Sequence, residues 1–337
     1  MSLNSLKSEN NYTSYNSSNI RLFNEDVMKL YDLWETPTVI ISDGAYGVSG
    51  FPGDTKNYKD LPEWYEPHIK KWSEKATPQT TLWLWNTEQG WATLHPILLK
   101  YGWDFKACHV WNKGLSHVAG NVNTKTITHL PIVTEVCVQY VKKPIFNVDN
   151  KSLTMQEWLR YEWTRTGLPF SKTNIACGLK NAATRKYFTN CHLWYMPPPE
   201  MFEKIVNYAN LYGKTENKPF FSINKKTPLT KEDWECFVPK FKCLFGMTNV
   251  WQTPQLAGSE RVKIGTKTAH LNQKPLVLIE KIIQMSSNEN DVIWEPFGGL
   301  FTVALASKKL NRACYSAEIN NDIWEIALNR FSSNHKI

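Results

Sequence analysis

The sequence contains no apolar run approaching the roughly 18 residues of a membrane-spanning helix. Residues 1–19 are rich in Ser, Asn and Tyr and lack the apolar stretch of a secretory signal, so a cytoplasmic protein with no membrane partner is expected. Cysteine is sparse and irregular, seven in 337 residues, which suits a reduced compartment. Cys177, Cys191, His192, Cys236 and Cys243 lack the paired close spacing of zinc ligands, so no metal is expected. An acidic excess is absent too. Lys and Arg number 39 against 31 Asp and Glu, a net charge of +8. Hydrophobic residues at 42% and charged residues at 21% exclude a disordered chain. Aromatics are plentiful, with 15 Trp. Basic charge with many aromatics suggests a polyanionic partner, although most of the Trp are expected in the core.

Residues 1–19 read as a solvated, mobile tail, with structure starting at Ile20. Short apolar runs then alternate with helical spacing. Residues 39–41, 81–85, 107–111 and 135–141 read as strands. Trp91, Leu94, Leu98 and Tyr101 recur at helical spacing, and Gly102 stops that helix. Near the C-terminus, 291–294, 302–310 and 313–317 read as strand, helix and strand. This alternation predicts an α/β fold with a mostly parallel sheet covered on both faces. The pattern fails between 151 and 267, which holds 18 Lys and Arg against 9 Asp and Glu. That division makes 20–150 and 268–337 one α/β domain, with 151–267 a basic insert. No internal repeat is present.

In open α/β sheets, ligands bind beyond the carboxyl ends of the strands. Two strand ends carry unusual residues. One is Ser42-Asp43-Gly44-Ala45-Tyr46-Gly47. The other is Glu295-Pro296-Phe297-Gly298-Gly299, followed by a helix and a strand that ends at Glu318. A carboxylate after the second strand suits a ribose diol, because it accepts from both hydroxyls. Asp-Gly and Gly-Gly are also ordinary turns, so this pattern alone leaves both readings open.

The set His270-Leu-Asn-Gln-Lys-Pro275 with a helix behind it, then Glu295-Pro296-Phe297, Gly299 and Glu318, resembles the DNA amino-methyltransferases. These are the S-adenosylmethionine-dependent N6-adenine and N4-cytosine enzymes, here in the motif order of their beta class. Residues 22–30 resemble the short motif before the catalytic strand, and 134–142 the late core strand. The resemblance implies a Rossmann-like class I methyltransferase fold, with 151–267 as an inserted target-recognition region. It also implies that a flipped-out base receives a methyl group on its exocyclic amine. Asp43 and the Gly44 carbonyl would accept hydrogen bonds from that amine, and Tyr46 would stack on the base. Glu318 would hold the cofactor ribose. His270, Asn272 and Lys274 would meet the methionine carboxylate, with Pro275 opening the helix behind. Asp26 would lie near the cofactor adenine, and Glu295, Pro296, Phe297 and Gly299 would form the rest of the pocket.

Asp at position 43 favours adenine N6 as the target, with cytosine N4 the alternative and a catalytically silent DNA-binding homologue a second. The family implies double-stranded DNA as partner, a restriction-modification setting with a cognate endonuclease, and a homodimer. Lys172, Lys180, Arg185 and Lys186 are the candidate DNA contacts. Three features depart from the family pattern. The catalytic turn has Gly44-Ala45 where two prolines are usual, so packing must stiffen it. Phe301 stands where glycine is usual, which would narrow the pocket or shift its turn. Glu295 replaces the usual Asp. Residues 48–58, with Gly50, Phe51, Pro52, Gly53 and Asp54, suggest a loop that closes over the base, or a plain surface loop.

Overall fold

A computed structural model describes residues 5–7, 12–49, 53–115, 126–257, 261–264, 267–269 and 272–332. Its strands, in chain order, begin with β1 (Ser5–Lys7), β2 (Thr13–Ser17), β3 (Ile20–Asn24), β4 (Val39–Ser42) and β5 (Thr81–Asn86). They continue with β6 (Trp103–Asn112), β7 (Thr134–Lys142), β8 (Ile145–Val148), β9 (Lys151–Thr154) and β10 (Val250–Trp251). The last are β11 (Lys263–Ile264), β12 (Lys267–Thr268), β13 (Val292–Glu295) and β14 (Ala313–Ala317). The helices are α1 (Leu61–Lys75), α2 (Glu88–Lys100), α3 (Met155–Arg165), α4 (Lys172–Cys177) and α5 (Ala182–Lys186). After them come α6 (Pro199–Tyr212), α7 (Lys231–Glu235), α8 (Leu276–Ser286), α9 (Thr302–Lys309) and α10 (Asn321–Ser332). Among the described residues, no helix is long and apolar enough to cross a membrane.

The chain divides into two units, Met1–Lys142 with Pro239–Ile337, and Lys143–Val238. In the first, ten strands form one sheet in the order β1-β2-β3-β14-β13-β4-β5-β7-β6-β10. From β3 through β5 every pairing is parallel, whereas β7 runs antiparallel to both β5 and β6. The central strands are buried on both faces, which is why they read as unbroken apolar runs. Alternate residues feed two cores. Val39, Ile41, Trp83 and Trp85 pack with residues of α8, α9 and α10, whereas Ile40, Leu82 and Leu84 pack with residues of α1 and α2.

Two sequence expectations need correction. The tail expected over 1–19 contains β2, paired antiparallel with β3 in the register Tyr15↔Leu22. An unpaired β3 would leave a row of backbone donors and acceptors open, and β2 satisfies them. Its polar residues suit a strand near the edge of the sheet with one solvated face: Ser14 is buried, and Tyr15 meets Phe331 edge-on at 5.8 Å. The insert expected over 151–267 corresponds to the compact unit Lys143–Val238. The chain beyond it rejoins the first unit. Lys240 pairs with Asp291 at 2.7 Å, the Lys242 N–H donates to the Met285 carbonyl at 2.7 Å, and β10 extends the sheet beside β6. The compact unit carries 14 Lys and Arg against 9 Asp and Glu, so part of the basic excess belongs to the returning segment.

The second unit has its own aromatic core. Asp149 and Asn150, both at positive φ, turn β8 into β9. A capping box of Thr154 and Glu157 starts α3. Phe202 stacks on Trp234 at 3.9 Å and Phe146 on Trp158 at 4.3 Å. Much of the Trp content is spent on such packing, as Trp72, Trp83, Trp103, Trp163 and Trp294 are also fully buried.

Candidate active site

The parallel strands β3, β14, β13 and β4 put their carboxyl ends on one edge of the sheet. Asp26, Glu318, Glu295 and Asp43 follow from those ends and line one cavity of about 1080 Å³. Gly44, Tyr46, Asn272, Lys274, Pro296, Phe297 and Gly299 line it as well. Pro275 is buried at the start of α8. His270 lies outside the described residues, as do Gly50, Phe51 and Pro52.

Hydrogen bonds from three elements hold the Asp43–Tyr46 turn where prolines are missing. Asn86, ending β5, donates its side-chain N–H to the Ala45 carbonyl at 2.9 Å. The Tyr65 hydroxyl, from α1, donates to the same carbonyl at 3.2 Å. Asp54 accepts the N–H groups of Tyr46 at 2.9 Å, Gly47 at 2.8 Å and Thr55 at 2.7 Å. Glycine at 44 is a matter of space. A Cβ there would come within 2.7 Å of the Phe297 ring and 2.8 Å of the Tyr65 hydroxyl. Phe297 is itself fixed among Trp64 and His68, each 5.0 Å away. Burial pushes the His68 imidazole down to about 4, so that ring is neutral near pH 7.

Beside the turn runs a chain of alternating charges. Lys113 meets Glu135 at 2.8 Å, Glu135 meets Lys274 at 2.9 Å, and Lys274 meets Asp43 Oδ1 at 2.8 Å. Lys274 and Glu135 have side chains only 4% and 3% exposed, so each needs its partner. The Tyr46 hydroxyl sits among them, 2.7 Å from Asp43 Oδ1 and 3.0 Å from Lys274, with a close contact to Glu135. Burial and the two carboxylates hold that phenol well above its usual range, so it stays neutral. Burial alone would lower the Lys274 ammonium, but Asp43 and Glu135 outweigh it and raise it. Burial likewise opposes the Glu135 charge, but Lys274 and Lys113 prevail and hold its carboxyl below the usual value. Lys274, expected at a methionine carboxylate, lines the cavity with its ammonium turned to the catalytic turn. Its ammonium already has Asp43, Glu135, the Tyr46 hydroxyl and the Asn272 carbonyl as partners.

The opposite end of the cavity is built by β13, α9 and β14. Glu318 accepts the Gly299 N–H at 2.8 Å and the Asn320 N–H at 2.7 Å, one on each oxygen. Burial raises its carboxyl, with those N–H groups opposing. Glu295 accepts from the Val303 N–H at 2.8 Å, the Ala304 N–H at 3.2 Å and the Ser316 hydroxyl at 2.7 Å. It thereby satisfies open donors in the first turn of α9, which its extra methylene relative to Asp helps it reach. Burial pushes it up to about 8. Asp26 caps the short helix Val27–Lys29, accepting the Met28 N–H at 2.9 Å. Of the two effects expected of Phe301, a narrowed pocket or a shifted turn, the first is not seen, since Phe301 does not line the cavity. Its backbone is left-handed at φ 57, which is why glycine suits the position, but its ring is fully buried edge-on to Trp324 at 5.5 Å. Gly298 makes the room, since a Cβ there would lie 2.5 Å from that ring.

In the second unit, Lys172 begins α4, and Arg185 and Lys186 sit in the last turn of α5. Lys180, Arg185 and Lys186 are exposed. The Lys186 ammonium lies 5.2 Å over the Tyr195 ring. Sequence reasoning placed Asp54 only in a candidate closing loop, missed Lys113, Trp64 and His68, and gave Glu135 no role. Glu135 carries a legible signal, an acid near the start of a strand that is buried from 135 to 141 and mostly apolar. Lys113 carries none.

A family model for DNA methylases of the N6/N4 type matches residues 15–329. The type II methyltransferase M.BglII of Bacillus subtilis is 40% identical over 135 residues, covering 40% of this chain and 34% of that protein. M.ScaI of Streptomyces caespitosus, also a type II methyltransferase, is 34% identical over 86 residues, 26% of this chain and 28% of that protein. The matches thus span about a third or less of those relatives' length. The cytosine-N4-specific PvuII DNA methyltransferase superposes with a TM-score of 0.53 at 13% identity, over 95% of this chain and 89% of that one. That likeness shows a shared class I methyltransferase fold. With the family match spanning both segments of the sheet-forming unit, the chain belongs to the N6/N4 DNA methylase family.

Proposed function

We propose that the protein transfers a methyl group from S-adenosylmethionine to the exocyclic amine of a DNA base, adenine N6, within a short recognition sequence. The observation that carries this reading is the Asp43 carboxylate on the cavity wall. Its Oδ1 is occupied by Tyr46 and Lys274, while the described residues supply no partner for Oδ2. An aromatic exocyclic amine is a poor nucleophile because its lone pair is delocalised into the ring. Oδ2 can accept one of its N–H groups, and the Gly44 carbonyl the other. Together they favour a pyramidal nitrogen whose lone pair points at the incoming methyl.

The opposite end suits the cofactor. Each Glu318 oxygen has lone pairs beyond its backbone bonds, in the arrangement a ribose diol needs. Gly299, at positive φ, lines the cavity, where a cofactor can approach its backbone closely, and Asp26 stands at the neighbouring strand end. At about 1080 Å³ the cavity is at the top of the usual ligand-pocket range, enough for a cofactor and a base together. When bound, the sulfonium supplies the activated methyl. The buried Tyr46 ring flanks Asp43, and its hydroxyl fixes the carboxylate. Trp64 and Phe297 supply further aromatic wall. Lys172, Lys180, Arg185 and Lys186 are proposed phosphate contacts that hold duplex DNA. A cognate endonuclease and a homodimer complete the proposed setting.

The test is incubation of the protein with methyl-labelled cofactor and mixed-sequence duplex DNA, then digestion to nucleosides. Label in N6-methyladenine is expected. Label only in N4-methylcytosine overturns the base assignment. Salt-sensitive DNA binding without label overturns the activity and leaves a silent DNA-binding protein.

A further inference from the structure

We propose that Glu135 and Lys113 are positioning residues for methyl transfer, holding Lys274 midway between two carboxylates so that Asp43 keeps Oδ2 free for the target amine. The inference rests on the methyl-transfer reading above and extends it to two residues outside the Asp43–Tyr46 turn.

The geometry is a row of four charges drawn from four parts of the fold. Lys113 follows β6, Glu135 belongs to β7, Lys274 precedes α8, and Asp43 follows β4. Successive separations are 2.8, 2.9 and 2.8 Å, and the signs alternate, so the row is neutral. Lys274 is buried and shared. Its ammonium divides its attraction between Glu135 Oε1 and Asp43 Oδ1, and the Tyr46 hydroxyl bridges the same two carboxylates. Both Asp43 contacts fall on Oδ1 because Glu135 draws the ammonium and the hydroxyl from the other side.

Without the Glu135 charge, the ammonium and the phenol have one carboxylate left to share. Asp43 then turns to engage both oxygens, and the amine loses its acceptor. Without Lys113, Glu135 carries an unbalanced charge and draws Lys274 away from Asp43, leaving that carboxylate unfixed. A displacement of about 1 Å at a reacting group costs on the order of 100-fold in rate.

Single-turnover methylation of duplex DNA by the full chain tests this, with calorimetric measurement of cofactor affinity alongside. Glu135→Gln is expected to lower the transfer rate about 100-fold while cofactor affinity stays within about twofold. Lys113→Met, nearer the surface, is expected to lower it about tenfold. The decisive variant is Glu135→Asp, which keeps a carboxylate on β7 for Lys274 and Tyr46 to share. It is expected to run at least about tenfold faster than Glu135→Gln. A space-filling role makes the isosteric Gln the milder change, and an Asp variant slower than the Gln variant overturns the proposal. A Glu135→Gln protein with the wild-type rate overturns it equally. If Glu135→Gln fails to fold, Lys113→Met decides the matter, and an unchanged rate refutes the proposal. Absence of label with the wild-type protein removes the methyl-transfer reading, and this proposal with it.

Discussion

Asp54 is the residue on which the Asp43–Tyr46 turn depends most, and its removal is expected to slow catalysis without unfolding the protein. One of its carboxylate oxygens accepts the N–H groups of Tyr46, Gly47 and Thr55, all within 2.9 Å. Hydrogen bonds to a charged acceptor contribute about 1.5–3 kcal/mol each. Asp54 is half-buried, so water replaces part of what Asp54→Ala removes. A loss of about 2 kcal/mol in the turn's preference for its present shape is then reasonable, well below the sum of the bonds. If the turn must hold that shape during transfer, the rate falls about 30-fold. Asp54→Asn keeps an acceptor without the charge and is expected to lose about fivefold. Single-turnover transfer at saturating cofactor and DNA measures the effect, with cofactor affinity as the control. An Asp54→Ala rate within about twofold of wild type would refute the idea that Asp54 stiffens the turn in place of proline.

Other outcomes follow from the same geometry. Gly44→Ala places a methyl against Phe297 and the Tyr65 hydroxyl and should abolish detectable transfer, while circular dichroism shows a folded protein. Glu318→Ala should weaken cofactor binding at least about tenfold by calorimetry, since it removes both proposed diol acceptors. Phe301→Gly should destabilise the protein by about 2–4 kcal/mol in urea. Relief of the left-handed backbone returns only about 1 kcal/mol of what a lost buried Phe costs. Glu295 gives a pH signature. Its carboxyl is raised from 4.5 to about 8, so within that window the folded protein keeps a proton that the unfolded chain has released. Stability should therefore fall as pH climbs through the window and level off above about 8. Glu295→Gln should remove that slope from urea midpoints, and an unchanged slope would assign it to another group.

The α/β core was legible because its strands are buried on both faces and its helix α2 has an apolar stripe, Trp91, Leu94 and Leu98, at helical spacing. Residues 39–41, 81–85 and 313–317 lie in β4, β5 and β14. Helix α1 escaped notice, as did β2, whose polar residues resemble a solvated tail. The strand-end acids and the Gly298-Gly299 turn could be placed together from their order in the chain. The partners of Lys274 could not. Asp43 and Glu135 are remote from it in sequence, and only the sheet order brings β4, β7 and the start of α8 to one spot. The stiffening of a turn without prolines was equally hidden, because Asn86, Tyr65 and Asp54 are unremarkable residues until the fold aims them.

The ring of Phe301 and the bare backbone of Gly298 are two halves of one steric choice. The space that a side chain at 298 would occupy is the space the ring already fills. A scan of single substitutions would therefore score 298 as intolerant and misread it as a demand of the ligand. Exchanging the two together, glycine at 301 with a small side chain at 298, should cost less than the two single changes summed. A route between these arrangements cannot begin by adding bulk at 298. It must first empty 301 and pass through a chain with a hole beside α10, so the two glycine patterns are separated by a less stable intermediate.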